Sequence, residues 1–208
     1  MDENTERPES PEYSVEGTEF DFETEGYWVR IWIDGYYMDC DPDEPEADRL
    51  EQIEERFGVD VARNAVHCGR HYEAKDGSGY SVLEAGDYIS TEEVAGLRER
   101  FEMLRDGRSE GFGVYPEHGL GGKGRPYLQF SASRDGDGLR VHLSTYAWGG
   151  PNEFDILLDG EKLNDLCSYF KRINEWFPPV GQGEEQRSRW KRKQTGEAAE
   201  DGAGKSHG

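Results

Sequence analysis

The apolar residues of this chain change period along its length, and the period separates strands from helices. Thr18-Glu19-Phe20-Asp21-Phe22-Glu23 alternates polar with apolar positions. After Glu25-Gly26, the run Tyr27-Trp28-Val29-Arg30-Ile31-Trp32-Ile33 is dense in aromatic and β-branched residues. Together these predict a hairpin whose second strand is covered on both faces, with Trp28 and Trp32 in the core. Asp34-Gly35 predicts a turn into a short third strand at Tyr36-Tyr37-Met38. A helix is expected over residues 46–57, because Pro45 suits a first turn, Leu50, Ile53 and Phe57 share a face, and Gly58 can close the C-terminus.

Short strands are expected at 62–67, 71–75 and 79–83, with Asp76-Gly77-Ser78-Gly79 as a turn. Ser90-Thr91-Glu92-Glu93 has the spacing of a capping box, and Val94, Leu97, Phe101 and Leu104 follow at helical intervals until Gly107. In the last third, strands at 126–133 and 139–146 flank the turn Asp135-Gly136-Asp137-Gly138, and another is expected at 153–158. Asp159 then caps a helix whose stripe is Leu163, Leu166, Phe170, Ile173 and Phe177, ended by Pro178-Pro179.

Strands followed by a helix recur about three times, which predicts an α+β fold with mostly antiparallel strands and about three helices. No repeat stands out in the sequence. Residues 1–16 lack apolar periodicity and read as a disordered acidic arm, 17–180 as one domain with possible division into 17–110 and 111–180, and 181–208 as a disordered tail.

Composition narrows the class. The 208 residues include 25 aromatic side chains, enough for a folded core despite 33% charged residues. No stretch of about 18 apolar residues occurs, and the Met1-Asp2-Glu3 start has neither a basic nor an apolar leader region. Cys40, Cys68 and Cys167 are odd in number and widely spaced, which argues against a disulfide framework. These features together point to the cytoplasm.

The net charge of −21 has two candidate causes. One is adaptation to molar salt, where screening shortens to about 3 Å. The other is a negative surface for a basic partner, imitating the phosphate backbone of nucleic acid. Residues 1–57 hold 20 acids against 4 Arg, and residues 58–186 hold 22 acids against 14 bases. Salt adaptation spreads acids over a whole surface, so this polarisation favours the interaction reading.

Candidate chemistry is sparse. His67, Cys68 and His71 have zinc-type donors, with Cys40 available from elsewhere, but no second ligand pair accompanies them. Packing within a strand is the simpler reading. Asp39, Asp41 and Asp43 open like a calcium loop, yet the sixth position is Glu44 and the twelfth Leu50, so the motif fails. The Gly-rich run from Gly119 to Arg125 leads into a strand, not a helix that could hold phosphate. No cofactor is expected, and no local signature places a catalytic nucleophile.

The expected function is therefore non-enzymatic: an acidic binding or inhibitory protein, of the kind used in defence or counter-defence, facing a basic or nucleic-acid-binding partner. Asp39, Asp41, Asp43, Glu44, Glu46, Asp48, Glu51, Glu54 and Glu55 supply the field, with Tyr36 and Tyr37 as aromatic anchors. The first alternative is a nucleic-acid accessory protein using the C-terminal strands and the basic patch Arg187, Arg189, Trp190, Lys191, Arg192 and Lys193. An enzyme without a local signature is the second.

Residues 122–175, with Gly122-Lys123-Gly124-Arg125, two long strands, a shorter one and a closing helix, resemble the strand-strand-strand-helix single-stranded-DNA-binding domain of positive-cofactor-type transcriptional coactivators. The resemblance covers about a quarter of the chain. It implies contact through basic and aromatic strand residues, for which this sequence offers Arg134, Arg140 and His142.

Overall fold

The computed structural model describes residues 17–36, 55, 64–78, 81–117, 128–145 and 153–179. Four strands come first: β1 (Glu19–Glu23), β2 (Tyr27–Tyr36), β3 (Ala65–Ala74) and β4 (Ser81–Ser90). They form one antiparallel sheet in sequence order and lead into α1 (Thr91–Arg105). The same plan then recurs. Strands β5 (Gly111–Tyr115), β6 (Leu128–Asp135), β7 (Gly138–Thr145) and β8 (Glu153–Leu158) form a second antiparallel sheet in sequence order and lead into α2 (Gly160–Trp176).

Period-two patterning determines which strand faces are buried. In β7 Leu139, Val141 and Leu143 face the core, opposite Leu158, Ile156 and Phe154 of β8, while Arg140 and His142 point outward. In β2 Val29, Ile31 and Ile33 do the same, with Arg30 on the other face.

The two helices bury matching stripes. Ser90 and Asp159 are the caps, and the fourth, seventh, eleventh and fourteenth residues after each are Val94, Leu97, Phe101, Leu104 and Leu163, Leu166, Phe170, Ile173. The helices pack together so that the equivalent rings Phe101 and Phe170 stack, with centroids 5.7 Å apart and planes 10° from parallel. α1 touches β4 of its own half and β5 of the next, and α2 touches β8 of its own half and β1 of the first. The halves thus repeat one plan, and their equivalent helix positions meet at the Phe101–Phe170 stack. One apolar cluster runs through both, joined by Phe22 against Phe130 at 6.4 Å and Tyr72 against Phe154 at 5.4 Å.

The α+β class and the antiparallel strands match the sequence expectation, with two helices among the described residues. The helix expected over 46–57 lies outside them except for Glu55, which is helical and exposed. Three expectations change. The strands expected at 62–67 and 71–75 are, among the described residues, parts of the single strand β3, Ala65–Ala74, which continues through a register irregularity between Cys68 and Arg70. Asp34-Gly35 is not a turn: β2 runs on to Tyr36, and Asp34 is the additional residue of a bulge, because Ile33 pairs with Cys68 and Gly35 with His67. Strand β5 was not anticipated; it is short, holds two glycines and pairs irregularly between Phe112 and Tyr115. The second half accordingly has four strands before its helix, one more than the coactivator-like arrangement.

Candidate functional site

A groove of about 480 Å³ lies where the halves meet, between the end of β1, the end of β8 and the first turns of α2. Glu23, Leu157, Leu158, Asp159, Glu161, Lys162 and Asp165 line it. Edge-strand alternation explains the apolar contribution: Phe154, Ile156 and Leu158 face the core, which leaves Leu157 on the outer face, 66% exposed. The acids come from the helix start. Asp159 accepts a hydrogen bond from the Lys162 amide at 2.8 Å, and the positive end of the helix dipole favours Glu161 beside it. Glu23 pairs with Lys75 Nζ at 2.6 Å, and the Lys162 ammonium lies 5.4 Å from the Phe20 ring. Glu161 and Asp165 have no ion pair among the described residues.

The residues nominated from sequence are distributed differently from expectation. Tyr36 is not a surface anchor: it is 2% exposed, its hydroxyl donates to the Pro178 carbonyl, and its ring meets Phe177 edge-on at 5.5 Å. The bulge at Asp34 restores Tyr36 to the core side of β2. Trp32 is 2% exposed, whereas Trp28 is half-buried with Lys75 Nζ 4.4 Å above its ring. Glu55 is exposed. Tyr37, Asp39, Asp41, Asp43, Glu44, Glu46, Asp48, Glu51 and Glu54 lie outside the described residues, as do Cys40 and the basic patch from Arg187 to Lys193.

Strand geometry separates the zinc-type donors. Cys68 pairs with Ile33 and joins the core cluster, while His71 pairs with Arg30 on the opposite face. Burial, then the positive charge of Arg30, lowers the His71 pKa, against upward pulls from Glu73 and Asp21. Among the described residues no group of three or more His, Cys, Asp or Glu side chains is placed to hold a metal ion. Cys167 is buried, and its thiol is pushed up to about 11 by desolvation, which makes it a poor nucleophile near neutrality.

The outward face of β6 and β7 is polar, and its cations stand next to acids. Arg140 reaches Asp135 at 2.5 Å, His142 Nδ1 lies 3.0 Å from Asp155, and Arg134 lies 3.7 Å from Glu110 and donates to the Leu104 carbonyl. The three residues that the coactivator resemblance would assign to nucleic acid are thus each balanced by a carboxylate.

Six of the seven lining residues fall between Leu157 and Asp165, so what sequence reading missed is that the end of β1, with Glu23, meets the junction of β8 and α2. The one local signal was Leu157 following Ile156, a break in the alternation of β8. Among the described residues, no helix is long and apolar enough to cross a membrane. No protein-family model, curated protein or solved structure matches the chain.

Proposed function

We propose that this chain is a non-enzymatic acidic binding protein of inhibitory type, which presents a negative surface to a basic partner protein. The observation that carries this reading is the groove, where four carboxylates and one ammonium surround an exposed leucine. Fixed negative charge steers a cationic partner and sets its orientation, and Leu157 supplies apolar area that is desolvated on contact. Asp39, Asp41, Asp43 and Glu44 belong to the acidic excess of residues 1–57, which hold 20 of the 45 acidic side chains.

The test begins with affinity capture from an extract of the source cells at matched salt, with the captured protein then purified. Binding of that protein to the wild-type chain should weaken steeply as salt rises. A variant with Glu161→Gln, Asp165→Asn and Leu157→Ser should bind at least about tenfold more weakly and show a flatter salt dependence. A second variant with Asp39, Asp41 and Asp43 changed to Asn and Glu44 changed to Gln tests the sequence-predicted acids separately. Unchanged affinity in both variants overturns the proposal.

A further inference from the structure

Both sheets are open, so each ends in two edge strands: β1 and β4 in the first, β5 and β8 in the second. Three of these edges are interrupted or fastened. β4 and β5 pair irregularly with their neighbours. At the start of β1, Arg172 Nε donates to the Gly17 carbonyl at 2.7 Å, and a β-carbon on Gly17 would meet the Trp176 ring at 3.0 Å. β8 differs: it pairs with β7 along its whole length without a shift in register.

The alternation of ladder bonds fixes which backbone groups of β8 are free. The Arg134 amide donates to the Glu110 carbonyl, on the β5 side, so its neighbours Ser133 and Asp135 bond to β7. Bonded and non-bonded pairs alternate between antiparallel strands. Leu139, Val141 and Leu143 of β7 therefore bond to Leu158, Ile156 and Phe154 of β8. The amides and carbonyls of Glu153, Asp155 and Leu157 point away from the sheet, and all three residues are exposed. Among the described residues none of these backbone groups has a hydrogen-bond partner.

An unpaired edge is a template for a further strand, and the side chains along it select which strand. Residues directly opposite one another share a face, so Glu153 and Asp155 favour cations across from them and Leu157 an apolar side chain. Asp155 lies 3.0 Å from His142 yet is 67% exposed, which leaves it accessible to a second cation. The end of β8 opens on the groove, where Glu23, Glu161 and Asp165 continue the same charge. A second copy of this chain fits poorly. Symmetric pairing of two β8 strands about Asp155 sets Asp155 against itself, and pairing about Leu157 sets Asp155 against Asp159, both like-charge pairs.

We propose that β8 accepts an extended cationic segment of a partner protein as an additional antiparallel strand. Antiparallel pairing is the more stable per residue. Running opposite to β8, the segment leaves basic residues in the groove and sets an apolar side chain across from Leu157. Lys or Arg follows two and four residues later, across from Asp155 and Glu153. This rests on the functional reading above and gives its basic partner a backbone conformation and a side-chain pattern.

The probe is a blocked synthetic peptide, Arg-Arg-Leu-Thr-Lys-Thr-Lys, titrated into the full chain at low salt and followed by NMR. It should bind and slow hydrogen exchange of the Glu153, Asp155 and Leu157 amides at least about tenfold. N-methylation of both lysine amides, which face β8, should weaken binding at least about tenfold, while N-methylation of both threonine amides, which face away, should not. Asp155→Pro removes a free-edge N–H and no ladder bond, so it should lose more affinity than Asp155→Ala. If the proline variant does not fold, the methylated peptides still decide. Absence of binding, equal response to the two methylations, or protection confined to other amides overturns the proposal, as does sedimentation of the chain as a dimer paired through β8. If the peptide fails while the captured partner still responds to substitution of Glu161, Asp165 and Leu157, the added strand is wrong and the binding reading stands. Pairing of the peptide with β8, beside a captured partner indifferent to the acidic variants, separates them the other way.

Discussion

The two halves share a plan and differ in how strictly their sequences obey it. In the second, β6 and β7 alternate cleanly with polar residues outward, and β8 does so except at Leu157. In the first, β2 and β3 are ten residues long, each carries a register irregularity, and together they bury Arg30, Arg70 and part of Asp34. Arg70 is wholly buried and donates to Thr145 of the other half, with its guanidinium 5.1 Å from the Tyr72 ring. Buried polar groups cost stability unless they are satisfied. The comparison therefore assigns the scaffold role to the regular half and the environment-sensitive groups to the irregular one.

The largest expected effect tests whether the halves are equivalent at all. Phe101→Ala and Phe170→Ala should each cost about 3–5 kcal/mol in urea unfolding, since both rings are fully buried. Because the rings share one contact, the double variant should cost less than the sum of the single ones. A large loss at one position and almost none at the other would break the equivalence of the two halves.

Asp34 provides the next effect and applies only to the irregular half. Its folded pKa of about 7 lies above the unfolded value of roughly 3.9. Between these values the folded chain holds a proton that the unfolded chain has released, so its contribution to stability is lost as pH rises from about 4 to 7 and is flat above. Asp34→Asn should therefore stabilise the protein at about pH 8 by roughly 2 kcal/mol and remove that part of the pH dependence, measured by urea unfolding at several pH values.

The smallest effect compares the helix caps. Ser90→Ala breaks a reciprocal capping box, in which the Ser90 hydroxyl accepts from the Glu93 amide and the Glu93 carboxylate accepts from the Ser90 amide. Asp159→Ala removes a single bond to the Lys162 amide. Each should cost about 1 kcal/mol in thermal unfolding, Ser90 more than Asp159. The reverse order would show that the acidic end of α2 contributes more than its cap geometry explains.

Much of the regular half was legible in the sequence, because its strands alternate, its tight turn is Asp-Gly rich and its helix begins at a carboxylate cap. The irregular half was harder for the same reason that it is interesting. A bulge at Asp34 looks like a turn when only Asp-Gly is visible, and a strand interrupted at Gly69 looks like two strands. The repeat was also present: an acidic residue two positions after each cap, followed by apolar residues at matching intervals. It went unseen because the strand sequences before the helices share no such pattern. Tyr36 could not be placed from its neighbours, because its direction depends on the bulge two residues earlier.

Each helix begins on one sheet and reaches the first strand of the other, α1 from β4 to β5 and α2 from β8 back to β1. The fold is therefore a closed circuit, and the chain's order of elements is only one of two equivalent ways to enter it. Gly17 and Trp176 in contact mark the seam of that circuit. The segment between Arg105 and Gly111 is its counterpart, where the same structure could be opened without changing which surfaces meet.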